Sequence, residues 1–222
     1  MNKLKAVFLM VEDYCLIAKN LARDIGLNIE VTCVSDLEQL EFTFLEEKDL
    51  LLSFGTSVLV PEWILKKPNL IALNVHAASP DYPGRDPHHF AIYDGVKRYG
   101  ATLHLMTKKI DDGQILDVKW FDVPEDVMPI DLLKSANQAG WELIEHLFVN
   151  LYHKKPLKQL EDVTWGKQKM TRKIFLEMCK LDPTISKEEF NQKLRATAMP
   201  GYKNLYIELY GYRFRIENKI HE

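Results

Sequence analysis

The stretch LIALNVHAASPDYPGRDPHHFAIYDG, residues 70–95, decides the architecture of this chain. Its first seven residues form an apolar run interrupted only by Asn74 and His76, and the run then breaks into a loop rich in Pro, Gly and Asp. A short apolar run bounded by turn residues reads as a buried strand. Side chains two apart on a strand share a face, so Asn74 and His76 project together from its carboxyl end. In open α/β sheets that end is where ligands bind. Two readings stay open on spacing alone. The pair is either a structural hydrogen-bonding pair at a strand end, or an amide donor and an imidazole presented together at a cleft.

Working outward, the same alternation recurs. LKAVFLMV (4–11) is a second apolar run, and DYCLIAKNLARDIG (13–26) places Leu16, Ile17, Leu21 and Ile25 on one helical face before Gly26. NIEVTCVS reads as a strand, SDLEQLEFTFLEEK as an acidic helix capped by Ser35 or Asp36, and LLLSFG as another strand. A short helix follows Pro61. Beyond residue 77 the chain reads as a long loop, then as two strands, ATLHLMT and QILDVKWFDV, joined by KKIDDG, and a helix over 129–152 closes the unit. Buried strands separated by helices predict an α/β fold with a Rossmann-like, doubly wound, mostly parallel sheet. After Pro156 the composition turns polar and basic. A helix opened by Ser186 and a hairpin turning near Gly211 predict a small C-terminal module. The expected units are 1–160 and 165–222, the second too small for a large core of its own and therefore packed on the first or on another subunit.

Composition limits the function classes. With 222 residues and 46% hydrophobic content, the chain has enough material for one full core and an appendage. No run approaches a membrane span, and the N-terminus turns acidic where a signal peptide would offer small residues, so a cytoplasmic location is expected. A formal charge of −3 argues against a nucleic-acid partner. Cys15, Cys33 and Cys179 form no CxxC pair and are expected to be separate buried thiols. VEDYCL follows the first strand, where a dinucleotide-binding GxGxxG would stand, so NAD is not expected. His76, His88, His89 and His104 show no metal-ligand spacing, and no metal is expected. His104, between Leu103 and Leu105, reads as structural, and Asp112 as solvated.

Asp111 lies in a tight IDDG turn, where Gly113 lets the backbone approach closely. An imidazole can take a proton, an amide N–H can donate to a developing oxyanion, and a carboxylate can orient or stabilise the imidazole. Together they suit attack by an amine on an acyl carbon.

Residues 73–116 carry an Asn-x-His, a stretch ending Pro-x-Tyr-x-Gly, a Gly-Ala-Thr-x-His strand and an Asp-x-Gly turn, in that order. This resembles the formyltransferases that use N10-formyltetrahydrofolate, over about residues 50–123. The resemblance implies Asn74, His76 and Asp111 as the catalytic trio and N10-formyltetrahydrofolate as formyl donor. It also implies folate contacts from Phe54, Gly55, Val58, Leu59 and Gly113. Where family members often read His-x-Ser-Leu-Leu-Pro, this chain reads HAASPDYPG, a change in the cleft wall that bears on the acceptor.

The C-terminal segment resembles that of bacterial sugar N-formyltransferases rather than the larger barrel of methionyl-tRNA formyltransferases. The acceptor implied is a nucleotide-linked amino sugar, a dTDP-linked 4-amino-4,6-dideoxyhexose destined for surface polysaccharide such as O-antigen. Contacts to it are expected from Tyr82, Gly84, Arg85, Lys169 and Arg172, the last two with Lys173 toward a pyrophosphate. A methionyl-tRNA formyltransferase or hydrolase remains the alternative enzyme, and a folate-binding module without turnover the non-enzymatic one. Tyr202, Tyr206, Tyr210, Tyr212 and Phe214 give the hairpin more aromatic surface than a small module hides, so a homodimer is expected.

Overall fold

A computed structural model describes residues 3–216; the expected module's last residues, 217–222, lie outside it. Strand β1 (Leu4–Leu9) buries its last four residues, and helix α1 (Glu12–Ile25) ends where Gly26 takes a left-handed φ of 80°. Strand β2 (Ile29–Val34) leads to helix α2 (Leu37–Thr43). Between the two capping candidates the structure selects Asp36, whose carboxylate accepts from the Gln39 N–H at 2.8 Å. Strand β3 (Leu50–Phe54) is buried throughout and is followed by helix α3 (Glu62–Leu65) and strand β4 (Ile71–His76).

The expected loop beyond β4 contains a helix, α4 (Pro87–Tyr93). Its His88, His89, Phe90, Ala91 and Ile92 are all buried, so the segment lacks the one-sided periodicity that marks a surface helix. Strands β5 (Arg98–Leu105) and β6 (Ile115–Asp122) follow, and then helix α5 (Pro129–Tyr152), with Pro at its first position. The C-terminal part adds helix α6 (Arg172–Cys179), unforeseen in the polar run, helix α7 (Lys187–Ala196), and the hairpin β7 (Tyr206–Leu209) and β8 (Tyr212–Arg215).

The main sheet has the order β2-β1-β3-β4-β5-β6. Its first four strands are parallel and β5 and β6 antiparallel, as a doubly wound, mostly parallel sheet requires. One face packs Phe8, Leu52 and Phe54 against Leu143, Leu147 and Phe148 of α5. The other packs Val7, Leu9 and Leu51 against Leu40, Phe44 and Ile64. Each such fully buried side chain contributes roughly 1.5–3 kcal/mol. A third cluster joins Phe175, Cys179, Ala196 and Tyr206 from the C-terminal part to Tyr82, Phe90 and Tyr99. The two parts thus share a core.

Cys15 and Cys33 are not separate thiols: a disulfide joins the start of α1 to the end of β2, with Cα atoms 6.1 Å apart. Cys179 is buried and free. Among the described residues no helix is long and apolar enough to cross a membrane, and no group of three or more His, Cys, Asp or Glu could hold a metal ion.

Candidate active site

The carboxyl end of β4 places Asn74 and His76 side by side, as the period of the strand demands. Antiparallel pairing sets Asn74 opposite His104 and His76 opposite Thr102. Directly opposed residues share a face at close range, so His104, read from sequence as structural, enters the site. Its Nε2 lies 3.0 Å from Asn74 Nδ2, and its Nδ1 donates to the Leu105 carbonyl at 2.8 Å.

Asp111 completes the group from the turn between β5 and β6, in a left-handed conformation with φ of 44° that Asp tolerates better than most residues. Only 5% exposed, it accepts the Gly84 N–H at 2.8 Å, lies 3.7 Å from His76 Nδ1 and places its second oxygen 3.5 Å from His104 Nε2. Burial alone would raise its pKa. At the acid pH where the carboxylate itself titrates, the positive charge of the protonated His76 and His104 rings and the Gly84 N–H outweigh that and bring it down to about 2, so the carboxylate is ionised near neutrality. His76 Nε2 donates to the Tyr82 carbonyl at 3.0 Å, which leaves Nδ1 as the lone-pair nitrogen of the neutral ring, facing Asp111.

The C-terminal segment closes over this group. Met170 N donates to the Pro83 carbonyl at 2.7 Å, Arg85 N to the Met170 carbonyl at 2.9 Å, and Gly166 N to the Pro80 carbonyl at 2.9 Å. Gly84 must be glycine here: its φ is 102°, and a Cβ would stand 2.2 Å from the Met170 carbonyl oxygen. Trp165 rests against both imidazoles, edge-on to His104 with ring centroids 4.9 Å apart, and its Nε1–H donates to the Gly113 carbonyl at 2.7 Å. Trp165 and His104 are the two site residues that sequence reasoning missed. The Gly-Ala-Thr-x-His run already pointed to His104; Trp165 sat in a segment that read as a polar tail.

The other expected contacts divide. Phe54 is at 0% exposure, enclosed by Tyr14 and Trp141, so its ring belongs to the core and not to a cleft wall. Gly55 is exposed with φ of 65°, Val58 is half-buried against the core, and Leu59 is exposed. That segment is joined to the β5–β6 connection by the 2.9 Å ion pair of Glu62 with Lys108. The close approach at Gly113 is internal: a Cβ would stand 1.8 Å from the Leu105 carbonyl oxygen. Tyr82 donates its hydroxyl to Asp94 at 2.7 Å and reaches the site through its carbonyl. Arg85 and Arg172 meet at Asp86, 3.4 and 3.9 Å from its Oδ2, whereas Lys169 is held by the Ile110 carbonyl, beside the Asp111 turn. Lys173 makes only a loose pair with Glu177.

An amide N–H, a free imidazole nitrogen and an ionised carboxylate on one side of a sheet end form a set that can hold a carbonyl oxygen and take up a proton. Comparison with known proteins agrees with this chemistry. Residues 43–145 match the family described as formyl transferase. The methionyl-tRNA formyltransferase of Natranaerobius thermophilus is 30% identical over 181 residues, covering 79% of this chain and 56% of that protein. The chain spans only about a third to just over half the length of such curated relatives. A crystal structure of a 4-N formyltransferase from Francisella tularensis superposes with a TM-score of 0.79 at 18% identity, covering 99% of this chain and 98% of that one. A sugar N-formyltransferase from Shewanella sp FDAARGOS_354 superposes with a TM-score of 0.78 at 18% identity, covering 97% of both chains. Over residues 43–145 this chain is thus similar to the formyl transferase family, and along nearly its whole length it has the fold of the solved formyltransferases.

Proposed function

We propose that this chain transfers a formyl group from N10-formyltetrahydrofolate to the primary amine of a nucleotide-linked amino-dideoxy sugar. The observation that carries the reading is the convergence of Asn74, His76 and the ionised Asp111 at the end of β4.

The donor set fits a formyl donor, because it offers an N–H for a carbonyl oxygen and a base for an amine proton. When bound, the folate supplies an electrophilic formyl carbon on N10. His76 Nδ1 takes a proton from the amine, and the Asp111 carboxylate stabilises the resulting imidazolium. Asn74 donates to the formyl oxygen as charge gathers there. The amine nitrogen bonds to the formyl carbon, the bond from that carbon to N10 breaks, and the proton held by His76 passes to N10. Trp165 shields the two imidazoles from water. Gly55, Val58 and Leu59 are the residues proposed to lie along the folate.

For the acceptor, the likeness to sugar N-formyltransferases along nearly the whole chain and the net negative charge both favour a nucleotide sugar over tRNA. Arg85 and Arg172 both approach Asp86, and they are the residues we assign to a pyrophosphate, for which guanidinium forks are well suited. The acceptor proposed is a dTDP-linked 4-amino-4,6-dideoxyhexose on its way to surface polysaccharide, and the working form a cytoplasmic homodimer. The test is a panel of nucleotide-linked amino sugars and methionyl-tRNA, each with N10-formyltetrahydrofolate. The expected result is a mass gain of one formyl group on a sugar. Efficient formylation of methionyl-tRNA with every sugar untouched would install the alternative, and folate binding without transfer to any amine would mark a binding module.

A further inference from the structure

Asn74 can serve a developing oxyanion only if its carboxamide presents N–H rather than C=O. The two ends of a carboxamide are nearly the same shape, so packing does not choose between them and a hydrogen-bonding neighbour must. His104 is that neighbour. It stands directly opposite Asn74 on β5, is 2% exposed, and brings Nε2 within 3.0 Å of Asn74 Nδ2.

The ring's other nitrogen settles which partner Nε2 wants. Nδ1 lies 2.8 Å from the Leu105 carbonyl, which can only accept, so Nδ1 carries the hydrogen. In the neutral ring Nε2 is then an acceptor, and the NH₂ end of Asn74 alone can satisfy it. One amide N–H is committed to His104, and the second remains for the site. The backbone supports this aim: the β5–β6 register shifts between Leu103 and His104, a bulge of the kind that redirects a side chain. The edge-on Trp165 ring adds a lateral wall.

Asp111 pulls the other way. Its Oδ1, 3.5 Å from Nε2, would favour a proton there, and a ring protonated at both nitrogens would turn Asn74 to offer its carbonyl. The two arrangements exclude each other.

We propose that His104 is a positioning residue whose Nδ1–H tautomer, set by the Leu105 carbonyl, holds the Asn74 carboxamide with an N–H directed to the formyl oxygen. This rests on the formyl-transfer reading of the site, and His104 acts through Asn74 without touching substrate.

Two measurements test it. The first needs no substrate: long-range ¹H–¹⁵N correlation spectra of histidine-labelled protein near neutral pH, with the His104→Gln variant to assign the ring. An unprotonated Nε2 and a protonated Nδ1 are expected, and a protonated Nε2 overturns the proposal. The second is a double-mutant cycle in kcat with Asn74→Ala and His104→Phe. His104→Phe alone should lower kcat by between about tenfold and the roughly 10²–10³ typical of losing an oxyanion donor, with KM for the folate unchanged. In the Asn74→Ala background it should cost less than about twofold, because the group it positions is gone. Additive losses would make His104 a structural residue. His104→Gln, whose side-chain oxygen can accept in place of Nε2, should recover part of kcat and covers the case in which the Phe variant does not fold. If the wild-type protein formylates no amine, the functional reading fails, and the spectra still decide the tautomer.

Discussion

The indole N–H of Trp165 donates to the carbonyl of Gly113 across 2.7 Å, tying a residue far along the chain to the turn that carries Asp111. Trp165→Phe keeps an aromatic wall but removes this bond, which should cost about 0.5–1.5 kcal/mol of stability. Trp165→Ala removes the wall as well and should lower kcat more than it lowers Tm. Thermal melts beside steady-state rates separate the two, and an Ala variant with unchanged kcat would show that the indole does not serve the site.

His76 and Asp111 should fail together. His76→Ala is expected to lower kcat by roughly 10²–10⁴. Asp111→Asn leaves the shape and removes the charge, so it should lower kcat in the same direction while adding little to a His76→Ala background. A His76→Ala enzyme turning over at the wild-type rate would take the base assignment away.

The same carboxylate has a pH signature. Its folded pKa, about 2, lies below the ordinary carboxylate value near 3.9, so its stabilising contribution is fully present above about pH 4 and is lost as pH falls toward 2. Between about pH 2 and 4, Asp111→Asn should flatten the acid limb of the stability curve, measured by denaturant melts at stepped pH.

His88 governs a higher window. It is 6% exposed with no hydrogen-bond partner among the described residues on either ring nitrogen, and burial, with His89 alongside, pushes its pKa down to about 3. The unfolded chain binds that proton near pH 6.5, so stability is complete above 6.5 and declines as pH falls from there toward 3. His88→Phe removes two unpaired buried polar atoms, each costing roughly 1–3 kcal/mol, and should raise Tm at pH 5 more than at pH 8. An equal change at both values would show that the imidazole is not the titrating group.

The hairpin makes a prediction about assembly. Tyr206 is turned inward, its hydroxyl donating to the Leu176 carbonyl, while Tyr202, Tyr210, Tyr212 and Phe214 stay exposed. Sedimentation at micromolar concentration should find a dimer that Tyr212→Ser with Phe214→Ser weakens. A monomer in the unaltered protein would remove the homodimer from the proposal.

The parts of this molecule that sequence made legible are those in which neighbours along the chain do the work. The apolar runs of β1, β3 and β4, the Asp36 and Ser186 caps and the Asn74–His76 spacing are local patterns, and each is where periodicity puts it. What escaped depends on register and on contacts between distant segments. His104 joins the site because of its cross-strand partner, Trp165 because a late segment returns over the 80–85 loop, and Cys15 meets Cys33 because α1 and β2 begin and end at the same edge. Helix α4 hid for a different reason: buried on most of its surface, it carries no polar face to betray its period.

The shared cluster of Phe175, Cys179, Ala196 and Tyr206 with Tyr82, Phe90 and Tyr99 has a consequence for anyone wishing to re-engineer acceptor choice. The tail cannot be exchanged as a cassette. A graft joined near residue 160 would strip Trp165 and the Met170 backbone from the active site and leave Tyr82 and Phe90 facing water. Under the proposed acceptor reading, new specificities have to be introduced side chain by side chain, at Arg85 and Arg172, on a scaffold left whole.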